Sequence, residues 1–376
     1  MNMKKTLAVV GAIALAGVLS VTAVGCAKKT RNLASLSSNW YYDSSFKKIQ
    51  PTFTEEAAEK LTYKVTYSEP EEVRNNYYSV NYADGTYTTE FYAKKITATE
   101  LAQITDEDWR KDYTNALSKD GYMYLYYYAT ELSIPTVTFT CKGESKTFDE
   151  SVKTESYFLS VNDFLQPVYS ARLVKKALPK EMQVSSIDEC YSIIDMQYES
   201  FYTLSGSSVK TYITDNLAED KTPKAFVIDG LNAHPNSVFD VAYLDITVRA
   251  MRNITNAFSQ TIGIYTPGLQ VRNYTVASVI SSLFSGEDAD KRLKDLQGLL
   301  EDKGLFTPEN EESKLNTTAV SVTYNGGSFS GVSQTYWFAV DKNNETRTLM
   351  VKYAEPIVYN LGTLNYVLAG IDNIGD

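Results

Sequence analysis

Hydrophobic and polar residues alternate along most of the chain, which is typical of strands with one buried face. Residues 61–67 alternate without a break. The segment 122–131 begins with a run that is rich in tyrosine. The same pattern predicts further strands at 77–92, 136–141, 145–148, 157–161, 168–174, 190–202, 209–213, 318–324, 334–340 and 346–353. Short connections join successive runs, so we expect antiparallel pairing.

Turn-forming residues mark the places where the chain should reverse. Ala-Asp-Gly-Thr at 83–86 is typical of a type I′ turn and predicts a hairpin within residues 77–92. Lys-Gly-Glu at 142–144 predicts a second hairpin, and Asn-Gly-Gly at 325–327 predicts a third near the C-terminus.

A period near 3.6 residues predicts about three helices. One spans residues 106–118 with Thr105 as its N-cap, and another spans 285–303 with leucines at heptad-like spacing. A third, at 238–252 after Ser237, has apolar residues that fit a strand almost as well. Runs of strands interrupted by a few helices predict an α+β fold built on a large antiparallel sheet.

Two segments echo one another. Tyr-Phe-Leu-Ser-Val-Asn at 157–162 and Tyr-Trp-Phe-Ala-Val-Asp at 336–341 share an aromatic pair, a small residue, Val and a turn former. This similarity is either a duplicated sheet edge, with a boundary near residues 180–190, or what two ordinary hairpins share by chance. No long flexible linker separates the halves, so we expect one β-rich domain over residues 40–376.

The N-terminus has the pattern of an export signal. Two lysines within residues 1–5 precede an apolar run at 7–24. The residues Ala-Val-Gly-Cys that end at Cys26 resemble the lipobox of bacterial lipoproteins. The resemblance implies that residues 1–25 are a signal peptide and that Cys26 carries a lipid holding the protein at the membrane, facing outside the cytoplasm. Residues 26–39 would then be a polar tether. The alternatives are a plain membrane anchor and an ordinary signal peptide.

The chain of 376 residues is acidic, with a net charge of −10. Removing residues 1–25 takes away two lysines and no acid, which moves the net charge to −12. An acidic surface disfavours nucleic acid and anionic lipid headgroups as partners. The sequence makes no prediction of the oligomeric state.

Two cysteines remain if Cys26 is lipidated. Cys141 and Cys190 permit one disulfide, which would close a loop of about 50 residues and add a few kcal/mol of stability. The alternative is two buried thiols that behave as small hydrophobic side chains. Sequence alone does not choose between them.

Motifs of catalysis are missing from the sequence. It has no phosphate-binding Gly-rich loop, no HExxH, no CxxC and no GxSxG, and its single histidine, His234, lies in a predicted turn. The acidic stretches at 106–108 and 287–290 fall where helices should begin, a position in which acids offset the helix dipole. We therefore assign no catalytic residue, metal ligand or cofactor, although two carboxylates brought together in space remain an alternative.

Tyrosine is abundant, with 29 residues. The segment at 122–128 places four tyrosines on one face of a strand, namely Tyr122, Tyr124, Tyr126 and Tyr128, with Met123, Leu125 and Tyr127 on the other. Two apolar faces predict a strand covered on both sides. The tyrosines would form either an aromatic surface for sugar rings or acyl chains, or ordinary cross-strand packing.

The order of elements from residue 237 to the hairpin around Trp337 is similar to that of LolA-like half-barrels, a group of bacterial envelope proteins. The resemblance implies a curved sheet that cradles lipid or acyl chains. Our leading hypothesis is a non-enzymatic, membrane-anchored protein that binds an apolar or amphipathic envelope component, with a lipid or a glycan as the ligand. The alternatives are an envelope carbohydrate-binding protein or carboxylate-based hydrolase, and a structural or adhesive surface protein.

Overall fold

The computed structural model describes residues 55–70, 78–161, 164–180, 184–231, 238–251, 259–267, 271–306, 315–326, 332–340 and 348–374. The expected signal peptide, Cys26, the tether and His234 lie outside the described residues. Within those residues, no helix combines the length and the hydropathy needed to span a bilayer.

The described residues form one sheet of 16 strands. The strands are β1 (Glu59–Ser68), β2 (Ser79–Tyr82), β3 (Gly85–Thr97), β4 (Tyr122–Cys141), β5 (Glu144–Val161), β6 (Phe164–Pro179), β7 (Tyr191–Tyr202), β8 (Ser208–Asp215), β9 (Lys224–Asp229), β10 (Val238–Asp240), β11 (Ser259–Tyr265), β12 (Arg272–Val279), β13 (Thr317–Tyr324), β14 (Ser333–Val340), β15 (Thr348–Pro356) and β16 (Thr363–Asn373). Their order is β10-β11-β12-β13-β14-β15-β16-β1-β3-β4-β5-β6-β7-β8-β9, with β2 paired to β4. Among these pairings only β10–β11 is parallel.

Four α-helices accompany the sheet in the described part of the chain: α1 (Ala98–Leu101), α2 (Glu107–Asn115), α3 (Leu244–Met251) and α4 (Ala289–Asp302). The predicted α+β fold on a large antiparallel sheet is therefore confirmed. The cap of α2 is Asp106, whose carboxylate accepts a hydrogen bond from the Trp109 N–H at 3.0 Å, so the predicted cap at Thr105 is wrong.

The segment predicted as one helix at 238–252 divides into two elements. Its first residues form β10, which pairs with β11, and only Leu244–Met251 is α-helical. Asp240 separates the two, since its carboxylate accepts a hydrogen bond from the Ala242 N–H at 2.8 Å. The alternative interpretation of this segment as a strand is therefore correct for Val238–Asp240.

The hairpin predicted within residues 77–92 is wrong. β2 and β3 follow one another along the same side of β4, with β3 pairing up to Ser133 and β2 pairing from Val137. β4 is 20 residues long, so it offers enough edge for both. The hairpin predicted at 142–144 is confirmed, because Lys142 and Gly143 have φ of 51° and 85° and join β4 directly to β5.

The sheet curls so that strands far apart in its order touch. Asp240 in β10 accepts hydrogen bonds from Ser170 in β6 at 2.6 Å and from Tyr202 in β7 at 2.5 Å. The Tyr265 hydroxyl of β11 lies 2.5 Å from the Thr211 hydroxyl of β8. Since β10 and β11 lie at the opposite end of the sheet order from β6 to β8, the sheet is rolled over its main core.

β4 is covered on both faces, as its two apolar faces predict. Tyr126 and Tyr128 belong to the main core cluster. Leu125 belongs to a second cluster, where it is packed with Trp109 and Tyr113 of α2. Whether the chain contains two related halves stays a prediction, although β6 pairs with β7 across residues 180–190 within one continuous sheet.

Candidate functional site

The rolled sheet and the segment 241–245 line a cavity of about 370 Å³. Nine strands contribute lining side chains, and they fall within a run of ten neighbours from β14 through β16, β1 and β3 to β8. A flat sheet of ten strands would be about 43 Å wide, at about 4.8 Å per spacing. Only strong curvature brings so many strands to one cavity of this size.

One wall of the cavity is built from β4 to β7 in two cross-strand rows. The first is polar and contains Thr130, Thr154, Arg172 and Tyr198. The second is apolar and contains Leu132, Val152, Val174 and Met196. Members of the two rows are two residues apart on each strand, or about 7 Å. The register of the sheet therefore places a polar band beside an apolar band on one surface.

Another part of the lining is a ladder of tyrosines. Tyr336, Tyr353 and Tyr366 are directly paired across β14, β15 and β16, with ring centroids 4.6 and 4.7 Å apart. Tyr87 of β3 packs edge-on against Tyr366 at 5.4 Å. Burial raises the pKa of all four hydroxyls well above the ordinary tyrosine value, so they stay protonated at neutral pH. This wall is aromatic with neutral hydroxyls.

An acidic residue enters the cavity from the first turn of α3. The Asp245 carboxylate accepts hydrogen bonds from Tyr87 at 3.2 Å, from Tyr128, and from the Ile246 N–H at 2.9 Å. Burial raises the pKa of Asp245, and these hydrogen bonds oppose that rise. Glu355, a second acid in the lining, accepts a hydrogen bond from Tyr366 at 2.9 Å. Both acids are thus engaged by tyrosine hydroxyls.

Arg172 is the unusual member of the polar row. Its Nε is buried and has no hydrogen-bond acceptor among the described residues. Burial lowers the pKa of Arg172, whereas the charges of Asp240 and Glu355 raise it. An arginine remains protonated in proteins despite such a shift. The cavity wall therefore carries a half-buried cation whose Nε–H donor is satisfied by no described protein group.

The residues of this site were missed in the sequence, although β6 contains a signal. In β6 the alternating set with Val174 and Leu178 includes Arg172 and Lys176 and faces the cavity, whereas Leu173, 48% exposed, points outward. A strand with charges inside and a leucine outside departs from the ordinary pattern of a one-sided sheet. That inversion could have marked Arg172.

No family model matches the sequence, and no curated protein matches it. Among solved structures the chain is similar to a "Beta-barrel-like Protein of Domain of Unknown Function DUF1849" from Brucella abortus. The two are 9% identical with a TM-score of 0.40, and the match covers 84% of this chain and 97% of that one.

The four tyrosines proposed as a ligand surface do not form one exposed surface. Tyr126 and Tyr128 are buried, and Tyr126 stacks on Phe158 at 5.4 Å. Tyr124 is 41% exposed and lies edge-on to Tyr122, over which the Lys95 ammonium sits at 4.1 Å. The face that they share continues along β4 to Thr130 and Leu132, and those two residues reach the cavity.

The two candidate disulfide cysteines lie together. Cys141 ends β4 and Cys190 precedes β7, and both are buried as free thiols. Burial, together with the neighbouring Cys141 thiol, raises the pKa of Cys190 to about 12. The geometry thus brings together the residues that the sequence proposed to pair, and the disulfide itself stays a prediction.

The acidic stretches serve helix starts in the structure. Asp106 caps α2, with Glu107 and Asp108 in its first turn, and Asp288 is the residue before α4. Among the described residues, no group of three or more His, Cys, Asp or Glu side chains is arranged to hold a metal ion.

Proposed function

We propose that this chain is a non-enzymatic, extracytoplasmic protein, held at the membrane by a lipid on Cys26, that binds an apolar or amphipathic envelope component in the cavity of its sheet. The lipobox-like residues support the location, and the cavity supports the binding activity. The two parts of the proposal rest on separate observations and are tested separately.

The pairing of an aliphatic row with a tyrosine ladder across one cavity is the observation that carries the binding proposal. The cavity, about 370 Å³, lies within the range of roughly 300–1,000 Å³ that is usual for small-molecule pockets. Such pockets are mostly apolar, with a few polar groups that orient the ligand. The two rows of β4–β7 reproduce that division.

A second candidate, a carbohydrate-binding protein or carboxylate-based hydrolase, is favoured by two lining acids, Asp245 and Glu355. Tyrosine rings also suit sugar rings. The aliphatic row favours an apolar ligand over a sugar, because a sugar would leave its hydroxyls unpaired against Val152, Val174 and Met196.

Ligand binding is tested on residues 27–376, which contain every residue of the described sheet. Native mass spectrometry and extraction report co-purified molecules, and thermal melting reports added amphiphiles and oligosaccharides. We expect an amphiphile to raise the melting temperature. If only bare protein is recovered and neither class shifts its melting, the binding proposal fails. A shift with oligosaccharide alone would favour the second candidate.

Paired variants of β6 locate the binding. Val174→Trp fills the cavity and should abolish the shift, whereas Leu173→Trp places the same side chain on the outer surface of the same strand and should preserve it. Met196→Trp, from β7, repeats the test if Val174→Trp does not fold. If Val174→Trp and Leu173→Trp change the ligand-induced shift in melting temperature equally, the ligand binds outside this cavity.

Cys26→Ser tests the anchor in the full chain. We expect loss of lipid labelling, with release from the membrane or retention of the uncleaved precursor. Normal cleavage with unchanged membrane retention would refute lipidation of Cys26.

A further inference from the structure

We infer that the cavity binds an amphiphile with an oxyanion head group, a carboxylate or a phosphate, and that Arg172 pairs with this head group. The inference rests on the proposed binding function. It adds the charge of the head group and its position on the wall.

The Arg172 guanidinium has a donor without an acceptor. Of its five N–H donors, the one on Nε is buried and has no acceptor among the described residues. A buried donor without an acceptor is costly, so a fold that keeps one usually satisfies it with a ligand or with solvent. Carboxylate and phosphate match the planar fork of arginine and accept two parallel hydrogen bonds.

The protein's own acids do not take this role. The Asp240 carboxylate already accepts hydrogen bonds from Ser170, Tyr202 and the Ala242 N–H. Glu355 accepts from Tyr366 of the tyrosine ladder. Both acids attract Arg172 electrostatically without forming an ion pair with it. An oxyanion on a ligand would therefore pair with the Arg172 guanidinium without displacing an acid of the protein.

The neighbours of Arg172 fix the direction of the ligand. Thr154 and Tyr198 flank it in the polar row and carry hydroxyls. Val174 lies two residues further along β6, in the apolar row, about 7 Å away. A ligand with its anion at Arg172 would therefore lay its apolar part over the aliphatic row, facing the tyrosine ladder.

The test compares ligands that share one chain and differ in the head group. Titration calorimetry on residues 27–376 uses decanoate, decyl phosphate, decanol and decyltrimethylammonium, each below its micellar concentration. We expect one of the anions to bind about 10- to 100-fold more tightly than decanol, as for hydrogen bonds to charged groups, and the cation to bind most weakly. The tighter anion identifies the head group.

Variants of β6 assign the preference to Arg172. Arg172→Gln should remove the preference, so that decanoate, decyl phosphate and decanol bind with similar affinity, and Arg172→Lys should retain part of the preference. Lys175→Gln is the matched control, because Lys175 is exposed on the outer face of β6 and pairs with Asp149 at 2.8 Å. It removes the same charge from the same strand and should change nothing.

The outcomes separate this inference from the proposed function. Equal binding of decanoate, decyl phosphate and decanol to the unmodified protein would overturn the inference and leave the binding function in place. An anion preference that survives in Arg172→Gln would also overturn it. Absence of binding by every amphiphile would instead refute the proposed function. If Arg172→Gln does not fold, by circular dichroism, Arg172→Lys and the ligand series decide the question.

Discussion

A buried ion pair holds α3 against the sheet and so positions Asp245 at the cavity. The Arg249 guanidinium of α3 donates to both carboxylate oxygens of Glu59 in β1, at 2.7 and 3.1 Å. The two side chains are only 4% and 5% exposed. We predict that Glu59→Gln destabilises the protein strongly, because it leaves the arginine charge buried without its counter-charge.

The size of the effect follows from the burial of both partners. Removing one member of a buried pair costs about 3–5 kcal/mol. A folded unit of about 270 residues, the number that the structure describes, loses roughly 1.8 °C of melting temperature per kcal/mol, from an unfolding entropy of about 2.1 cal/mol/K per residue. The expected decrease is therefore about 5–9 °C. Replacing both partners, as Glu59→Leu with Arg249→Met, should be close to neutral, since no charge is then left buried.

Urea unfolding followed by circular dichroism measures these free energies. The exposed pair of Lys64 with Asp84, at 2.7 Å, is the control, and Asp84→Asn should cost less than about 1 kcal/mol. The reasoning is refuted if Glu59→Gln costs no more than Asp84→Asn. It is equally refuted if the double variant costs as much as the two single variants together.

Three further predictions concern other parts of the molecule. Gly362→Ala should destabilise the protein by more than about 2 kcal/mol in urea unfolding, because φ at Gly362 is +108° and a Cβ would lie 2.5 Å from a backbone carbonyl oxygen of β1. Gly121→Ala is the control and should cost about 1 kcal/mol, since Gly121 has open space around it. Equal costs of the two variants would contradict this prediction. Burial, with a nearby arginine, lowers the pKa of Lys352 to about 8, so between pH 8 and about 10.5 the unfolded chain holds a proton that the folded chain has released. The stability of the protein relative to Lys352→Met should therefore rise across that window and stay level below it, and a flat difference in urea titrations would refute the shift. Oxidised glutathione should join Cys141 to Cys190, with a mass loss of two hydrogens and a gain of about 4 kcal/mol for a loop of about 50 residues; an unchanged intact mass would exclude the bond.

Local pattern predicted the elements whose signals are complete within a short segment. The β4–β5 hairpin is confirmed because Lys142 and Gly143 accept the positive φ that the turn requires. The helix at α2 is confirmed within a few residues of its predicted bounds. β9, β11, β12 and β16 were missed, the first because it is short and mostly exposed.

The strand partners of β2 and β3 could not be predicted from local pattern. The Ala-Asp-Gly-Thr turn signal is present, yet both strands pair with β4, because a partner 20 residues long lies beside them. The choice of a partner depends on strand lengths elsewhere in the chain, and no local window contains them. The same limit applied to β10, whose pairing with β11 gave it strand structure.

The large antiparallel sheet was predictable from the sequence, because alternation of hydrophobic residues with period 2 is a property of each strand alone. The lipobox-like Cys26 is likewise a local motif, and the proposed location rests on it. The face that lines the cavity, and the residues on it, could be identified only in the folded structure. Arg172, Val174 and the tyrosine ladder meet there because strand register and curvature bring together residues from nine strands, and both depend on contacts across the whole sheet.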